Sequence, residues 1–198
     1  QNKKIIGAIE FFIKRDQFTT SARPDVIKEL VKTAYIDSIT GLPNKEYMES
    51  KLLKILNEAK INPLDTQYGL LVIDIHNLQE FNNVGGLEGG DFLLKVLGQT
   101  LVNNLEDIAD CFVTRWYGGK FIIIINSNKI NTLLNWSNKF KTLIEQSIIL
   151  GYENHKIKVS IAGVIIYLED TLKSLIRNLE QQLLISKRQN NNISIKEG

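Results

Sequence analysis

The residues of this chain that could take part in chemistry are few and widely spaced. The two histidines, His76 and His155, have no metal-ligand spacing to each other or to the single cysteine, Cys111, and no nucleophile–base constellation is readable. What stands out instead are glycines beside charged side chains. Gly118 and Gly119 precede Lys120 and Phe121. Gly85-Gly86-Leu87-Glu88-Gly89-Gly90 runs up to Asp91, and Asp74 lies near the end of an apolar run from Gly69 to Ile75. Glycine supplies positive φ without strain and lets a backbone or a ligand come close. On spacing alone a plain hairpin turn accounts for the glycine pair, and Asp74 and Asp91 read as a turn or capping residue and a helix N-cap.

The elements that must position these residues follow from periodicity. Cys111, Phe112 and Val113 begin one strand of a hairpin, and Phe121 to Ile125 form the other. Four consecutive isoleucines suit a strand buried on both faces, hence an interior one. Asn44 can cap a helix from Lys45 to about Ala59, with Tyr47, Leu52, Ile55, Leu56 and Ala59 as its apolar residues, ended by Asn62-Pro63. A short segment from Asn77 to Asn83 puts Leu78 and Phe81 on one face. The glycine-rich turn then leads into a helix from Asp91 to about Val102, with Leu93, Leu94, Leu97 and Leu101 facing a core. A helix over about Lys129 to Ile148 shows Leu133, Phe140, Ile144 and Ile148 on one side. A strand over His155 to Tyr167 alternates Ile157, Val159 and Ile161. The last helix, about Thr171 to Lys187, carries Leu172, Leu175, Ile176, Leu179 and Leu183, and Ile193 to Ile195 adds an edge strand. This order predicts an α+β fold, a ferredoxin-like, antiparallel-rich central sheet flanked by helices.

Upstream, Lys4 to Lys14 reads as a strand, and a lone strand is not stable in water. Pro24 and Asp25 open a helix whose Ile27, Leu30, Val31 and Ala34 form one apolar stripe. A helix of about 12 residues is marginal alone, so the stripe needs a partner, either its own domain or a second copy of itself. Hydrophobic residues make up 43% and charged residues 23% of the 198, as in globular domains, and a net charge of +2 carries no basic footprint for nucleic acid. No apolar run approaches the ~20 residues that span a bilayer, and one cysteine cannot form an internal disulfide. A cytoplasmic setting without membrane contact is expected. The chain opens in mid-pattern at Gln1, as a piece of a longer protein would.

Three stretches carry a resemblance. Asp37-Ser-Ile-Thr-Gly-Leu-Pro-Asn44 is similar, nearly residue for residue, to the opening motif Asp-x-Leu-Thr-Gly-Leu-Pro-Asn-Arg of GGDEF domains, the diguanylate cyclases. Arg115 to Phe121 resembles their signature hairpin, Arg-Tyr-Gly-Gly-Asp/Glu-Glu-Phe, in length but not in content. Asn82 to Asp91 resembles Asn-Asp-x-x-Gly-His-x-x-Gly-Asp. The likeness covers about Asp37 to Asn192 and implies the nucleotidyl-cyclase-like fold of that family. The run Gly7-Ala8-Ile9-Glu10-Phe11-Phe12 resembles the last strand of a PAS sensor domain. The organisation expected is thus a PAS-like tail over 1–16, a linker helix over 17–37 and a GGDEF-like domain over 38–198.

Family members join two GTP molecules into cyclic di-GMP, with Mg²⁺ held by a first-strand aspartate, the next backbone carbonyl and a signature carboxylate. The resemblance places the first two roles on Asp74 and Ile75. Oxygen ligands of this kind are what Mg²⁺ requires. The family's Asp-x-Asp-x-Phe-Lys here becomes Asp74-Ile-His-Asn-Leu-Gln79, so the lysine is Gln79. Aligned without a gap, the signature positions Gly118, Gly119, Lys120 and Phe121 hold no carboxylate. An ammonium there repels a metal, since even unit charges ~4 Å apart interact by about 4 kcal/mol at an effective dielectric of about 20. Asn82 and Asp91 match the two guanine-reading positions. Of the closing Lys-x-x-Gly-Arg-Asn, Lys187 remains and the arginine is Asn191. The feedback motif Arg-x-x-Asp is absent over Ile108 to Cys111. The reading is a degenerate, catalytically inactive domain that binds GTP or another guanine nucleotide through Asn82, Asp91, Lys187 and Gln79. Mg²⁺ has a part only if binding is metal-assisted. Alternatives are a dimerisation or relay module, a homodimer through the linker helix, and a working cyclase with unusual ligands.

Overall fold

Seven residues, Gly69–Ile75, form strand β1, and all seven are buried because both faces of the strand are covered. Side-chain alternation divides them. Leu71, Ile73 and Ile75 enter one core, Leu70 and Val72 the other. The computed structural model describes residue 30 and residues 33–61, 67–105, 108–149 and 151–196. In chain order these give α1 (Lys45–Ile61), β1, α2 (Leu78–Leu105), β2 (Phe112–Tyr117), β3 (Lys120–Ile125), α3 (Ile130–Glu145), β4 (Val159–Ile165), α4 (Leu172–Ser186) and β5 (Ile193–Lys196).

The strands stand in the order β2-β3-β1-β4-β5. β1 is antiparallel to β3 and β4, β2 is antiparallel to β3, and β5 runs parallel to β4. The crossovers through α2 and α3 each skip one strand, so two split βαβ units interleave in the ferredoxin-like manner. The expected α+β architecture is present. β3 lies between β2 and β1, where Ile123 and Ile125 meet one core and Ile122 and Ile124 the other. α2 and α3 cover the first core with Leu93, Leu97, Leu101, Leu133 and Phe140, and α1 and α4 cover the second with Met48, Leu52, Leu175, Leu179 and Leu183. Each such side chain contributes roughly 1.5–3 kcal/mol on burial.

The helix starts are specified locally. Asn44 Oδ1 accepts the Tyr47 amide at 3.1 Å and caps α1. Thr171 and Ser174 exchange side-chain and backbone bonds in a capping box at the start of α4. In the opening turn Asp37 accepts both the amide and the hydroxyl of Thr40, at 2.8 and 2.7 Å. The turn then passes Gly41 at φ 70°. Pro43 accepts the Arg115 amide at 2.9 Å, which covers the open edge of β2.

Four expectations are corrected. The glycine-rich run does break the chain between two helical halves of α2 (Leu78–Leu105), but the break is confined to Gly86, at φ 65° and ψ −163°, so the second half begins before Asp91. Asp91 therefore lies inside a helix and is not an N-cap. α3 stops at Glu145, so Ile148 stands 78% exposed and Ile149 takes the buried place. β4 is shorter than expected, since the segment before it is held by the Asn77 side chain rather than by a neighbouring strand. Asn77 Nδ2 donates to Lys156 O at 2.7 Å, and the Lys158 amide donates to Asn77 Oδ1 at 3.2 Å. β5 forms, but as a parallel partner of β4. The upstream strand over Lys4 to Lys14 and most of the linker helix fall outside the described residues; Leu30 and residues 33–35 are helical.

Candidate nucleotide site

Asp74 sits at the end of β1, opposite Lys120 of β3 on one side and Ser160 of β4 on the other. Its side chain is 10% exposed, and its Oδ2 lies 2.6 Å from Nζ of Lys187, just past the end of α4. A contact this close satisfies the carboxylate with an ammonium rather than a metal. Beside it, His76 Nε2 and Ser160 Oγ are 2.7 Å apart. Burial of the ring, reinforced by Lys187 and Lys158, holds His76 below the usual histidine value against the opposing pull of Asp74 and Glu145.

The residues present do not fit Mg²⁺. The carboxylate of Asp74 is engaged by Lys187. The Ile75 carbonyl is covered by the hairpin. Gly119 O accepts the Ile75 amide at 3.1 Å, and a β-carbon at position 119 would stand 2.9 Å from the Ile75 oxygen. Lys120 donates to Tyr117 Oη at 3.0 Å and lies 4.3 Å from the centre of that ring, while Tyr117 Oη donates to Glu180 of α4 at 3.3 Å. The hairpin tip thus meets α4 through the Tyr117 hydroxyl, and the ammonium of Lys120, where the resemblance implies an anion, bonds to that hydroxyl. Gly118 supplies its turn at φ 57°, and Phe121 is core. Among the described residues no group of three or more His, Cys, Asp or Glu could hold a metal ion.

Asn82 lies against the residue before Asp91. Its amide packs on Gly90, leaving no room there for a β-carbon. Gly85 and Gly89 are filled in the same way by the hydroxyl of Tyr152, whose ring packs on Phe81 at 5.3 Å. The glycines therefore allow the two halves of α2 and the α3–β4 loop to meet closely. Gln79 does not join the Asp74–Lys187 group, because it donates to Asn83 Oδ1 at 3.0 Å on the exposed side of α2. Arg115 is 5% exposed, donates to Lys120 O at 2.9 Å and lies 5.1 Å from the Phe121 ring. Burial lowers its affinity for a proton, and Asp37, Asp91 and Asp74 oppose that shift. One buried guanidinium thereby faces the carboxylates of the opening turn, the kinked helix and β1. Its Nε has no hydrogen-bond partner among the described residues.

Sequence reasoning missed Tyr152, Ser160, Asn77 and the Tyr117–Glu180 link. Asn77 and Tyr117 fall at motif positions with no assigned role, Tyr152 and Ser160 fall in no motif, and each acts across a long separation in the chain. The paired signal for Tyr152 was the spacing of Gly85 and Gly89, which places two side-chain-free positions on one helix face.

The sequence matches the family model described as "Diguanylate cyclase, GGDEF domain" over residues 34–193, and the chain belongs to this family. Diguanylate cyclase DosC of Escherichia coli (strain K12) is 23% identical over 159 residues, which cover 79% of this chain and 34% of that protein. The chain thus spans about a third of the length of this relative. Among solved structures, the coiled coil and GGDEF domain of DgcB from Caulobacter crescentus, in complex with c-di-GMP, is similar with a TM-score of 0.77 at 16% identity and 98% coverage of both chains. The active GGEEF domain of a diguanylate cyclase from Vibrio cholerae gives 0.69 at 21% identity, covering 79% of this chain and 99% of that one. At these identities the structures establish the fold.

Proposed function

We propose that this chain is a catalytically inactive GGDEF domain of cyclic di-GMP signalling, placed in the cytoplasm, that holds a guanine nucleotide as a regulatory ligand. The observation that carries the reading is the Lys187–Asp74 pair at 2.6 Å, opposite a hairpin that offers Gly119 and Lys120 in place of a carboxylate. Nucleotidyl transfer depends on cations that neutralise phosphate charge in a fixed geometry, and this arrangement gives a divalent cation no free ligand set. What favours a guanine ligand is that Asn82 and Asp91 are both kept at the positions the resemblance gives to base reading, with Asn82 packed on Gly90 beside Asp91. A carboxylate can accept N1–H and N2–H of guanine, and a site built to hydrogen-bond a base rejects an analogue that leaves its polar groups unpaired. The wider organisation is a PAS-like tail over 1–16, a linker helix over 17–37 and the domain over 38–198.

Purified protein given GTP with Mg²⁺ or Mn²⁺ is expected to yield no cyclic di-GMP. Turnover near an ordinary enzyme's ~1–10³ s⁻¹ would overturn the reading. Calorimetric titration is expected to show GTP, GDP and GMP binding with similar affinity, ATP much more weakly, and the preference lost in Asp91→Ala. Equal binding of ATP and GTP, or of neither, would favour a relay module without ligand.

A further inference from the structure

The cations around Asp74 outnumber what one carboxylate needs. Lys187 is bonded to it, Arg115 is near enough to feel its charge, and Lys158 lies close enough to act on the neighbouring His76 ring. Lys187 is also unevenly placed. Its side chain is 41% exposed while that of Asp74 is 10% exposed, so the ammonium reaches down from solvent onto a fixed, nearly buried partner. Asp74 is held by β1 with neighbours on both sides, whereas Lys187 sits at the end of a helix on a flexible stem. An ammonium in that position can leave without disturbing the sheet.

We infer that Asp74 is an internal competitor for an anion-binding lysine, and that Lys187 takes the phosphate of a metal-free guanine nucleotide only when it is drawn off Asp74. This rests on the guanine-nucleotide reading above and extends it to the phosphate end. Lys187 already satisfies the carboxylate that the resemblance gives to Mg²⁺, so Mg²⁺ has no role to fill. By occupying the phosphate of free nucleotide in solution it competes with Lys187 and weakens binding. A carboxylate already on the ammonium also removes most of the advantage of a longer phosphate chain, which is why mono-, di- and triphosphates are expected to bind alike.

The test is a set of titrations with three probes in EDTA, with the whole chain as wild type, Asp74→Asn and the double variant Asp74→Asn, Lys187→Met. GTP and guanosine are the first pair of probes, and pyrophosphate alone is the third. The ratio of GTP to guanosine affinity is expected to rise about tenfold or more in Asp74→Asn, the factor that ~1.4 kcal/mol represents, and to fall back in the double variant. Pyrophosphate is expected to bind Asp74→Asn more tightly than wild type by a similar factor, and adding Mg²⁺ to weaken GTP binding to each. An unchanged ratio together with unchanged pyrophosphate affinity overturns the inference while leaving base recognition intact. A gain for pyrophosphate without any guanosine binding supports the masked lysine and overturns the guanine reading instead. GTP binding that strengthens with Mg²⁺ and is lost in Asp74→Asn identifies Asp74 as a metal ligand and also overturns it. Asparagine matches aspartate in shape, and thermal melts of the three proteins confirm that folding is retained.

Discussion

Asp74 and Lys187 are both visible in the sequence as single residues, yet their meeting is not. Each was assigned to a ligand, one to a metal and the other to a phosphate, because motif reasoning treats positions one by one. The register of β1 against β3 and the end of α4 decide that they satisfy each other. Gly119 shows the same limit. Its sequence says only that a carboxylate is missing, whereas the fold closes the space where one would start, with a β-carbon 2.9 Å from the Ile75 oxygen. Restoring the signature on paper, as Gly119→Glu with Lys120→Glu, is therefore expected to give no cyclic di-GMP in a GTP assay with Mg²⁺. It should also lower stability in urea by about 1–3 kcal/mol, the range for forcing atoms into a packed site. His76 supplies a second expectation at this scale. Its folded state holds a proton less readily than the unfolded chain, so nothing is lost above the ordinary value of 6.5, and stability falls as pH drops below it towards the depressed folded value. Urea unfolding between about pH 8 and pH 5 should show this slope in wild type and a flatter one in His76→Asn. Equal slopes would remove the role given to Lys187 and burial at that ring.

Strands and helices were legible wherever apolar period and caps agreed. Asn44, Thr171, the isoleucine run and the leucines of α2 all fell where their patterns put them. The glycine run did so only in part, and the reason is tertiary. Glycine lowers helix propensity by about 1 kcal/mol per residue, so four of them in six positions read as a break. In the fold the break is confined to Gly86, and the packing of Tyr152 on Gly85 and Gly89, and of Asn82 on Gly90, keeps the residues on either side of it helical. Only Gly86 leaves the helix, in a region of φ and ψ that is almost confined to glycine. Open space surrounds its α-carbon, so replacement there tests conformation alone. Gly86→Ala is expected to cost about 1–3 kcal/mol in chemical denaturation and to weaken GMP binding by moving Asn82 away from Asp91. A substitution without effect on either would show that the kink is not needed to place them.

At the scale of the molecule, the ferredoxin-like order β2-β3-β1-β4 was readable from the sequence of element types, because split crossovers leave few other ways to pair four strands. The parallel pairing of β5 was not, since four residues carry no sign of the direction in which they will add. The link from the upstream helix to the hairpin was equally hidden. Asn44 Nδ2 donates to Ala34 O at 2.9 Å, and one residue earlier Pro43 accepts the Arg115 amide. Two hydrogen bonds thus tie the end of that helix to β2 and, through Arg115 and Lys120 O, to the hairpin tip. A shift of the helix has a short, rigid route to the site. Such a shift needs a partner for the helix, and Leu30, 63% exposed on its apolar stripe, is where a second copy would pack. A seam of about three turns is marginal, so association should be weak and steeply concentration-dependent. Sedimentation of the whole chain is expected to show dimers growing in as concentration rises, with Leu30→Glu shifting the equilibrium to monomer and leaving the unfolding midpoint unchanged. If wild type stays monomeric throughout and Leu30→Glu sediments identically, the helix packs on its own domain, and any signal must enter the hairpin through Ala34 and Pro43 within a single chain.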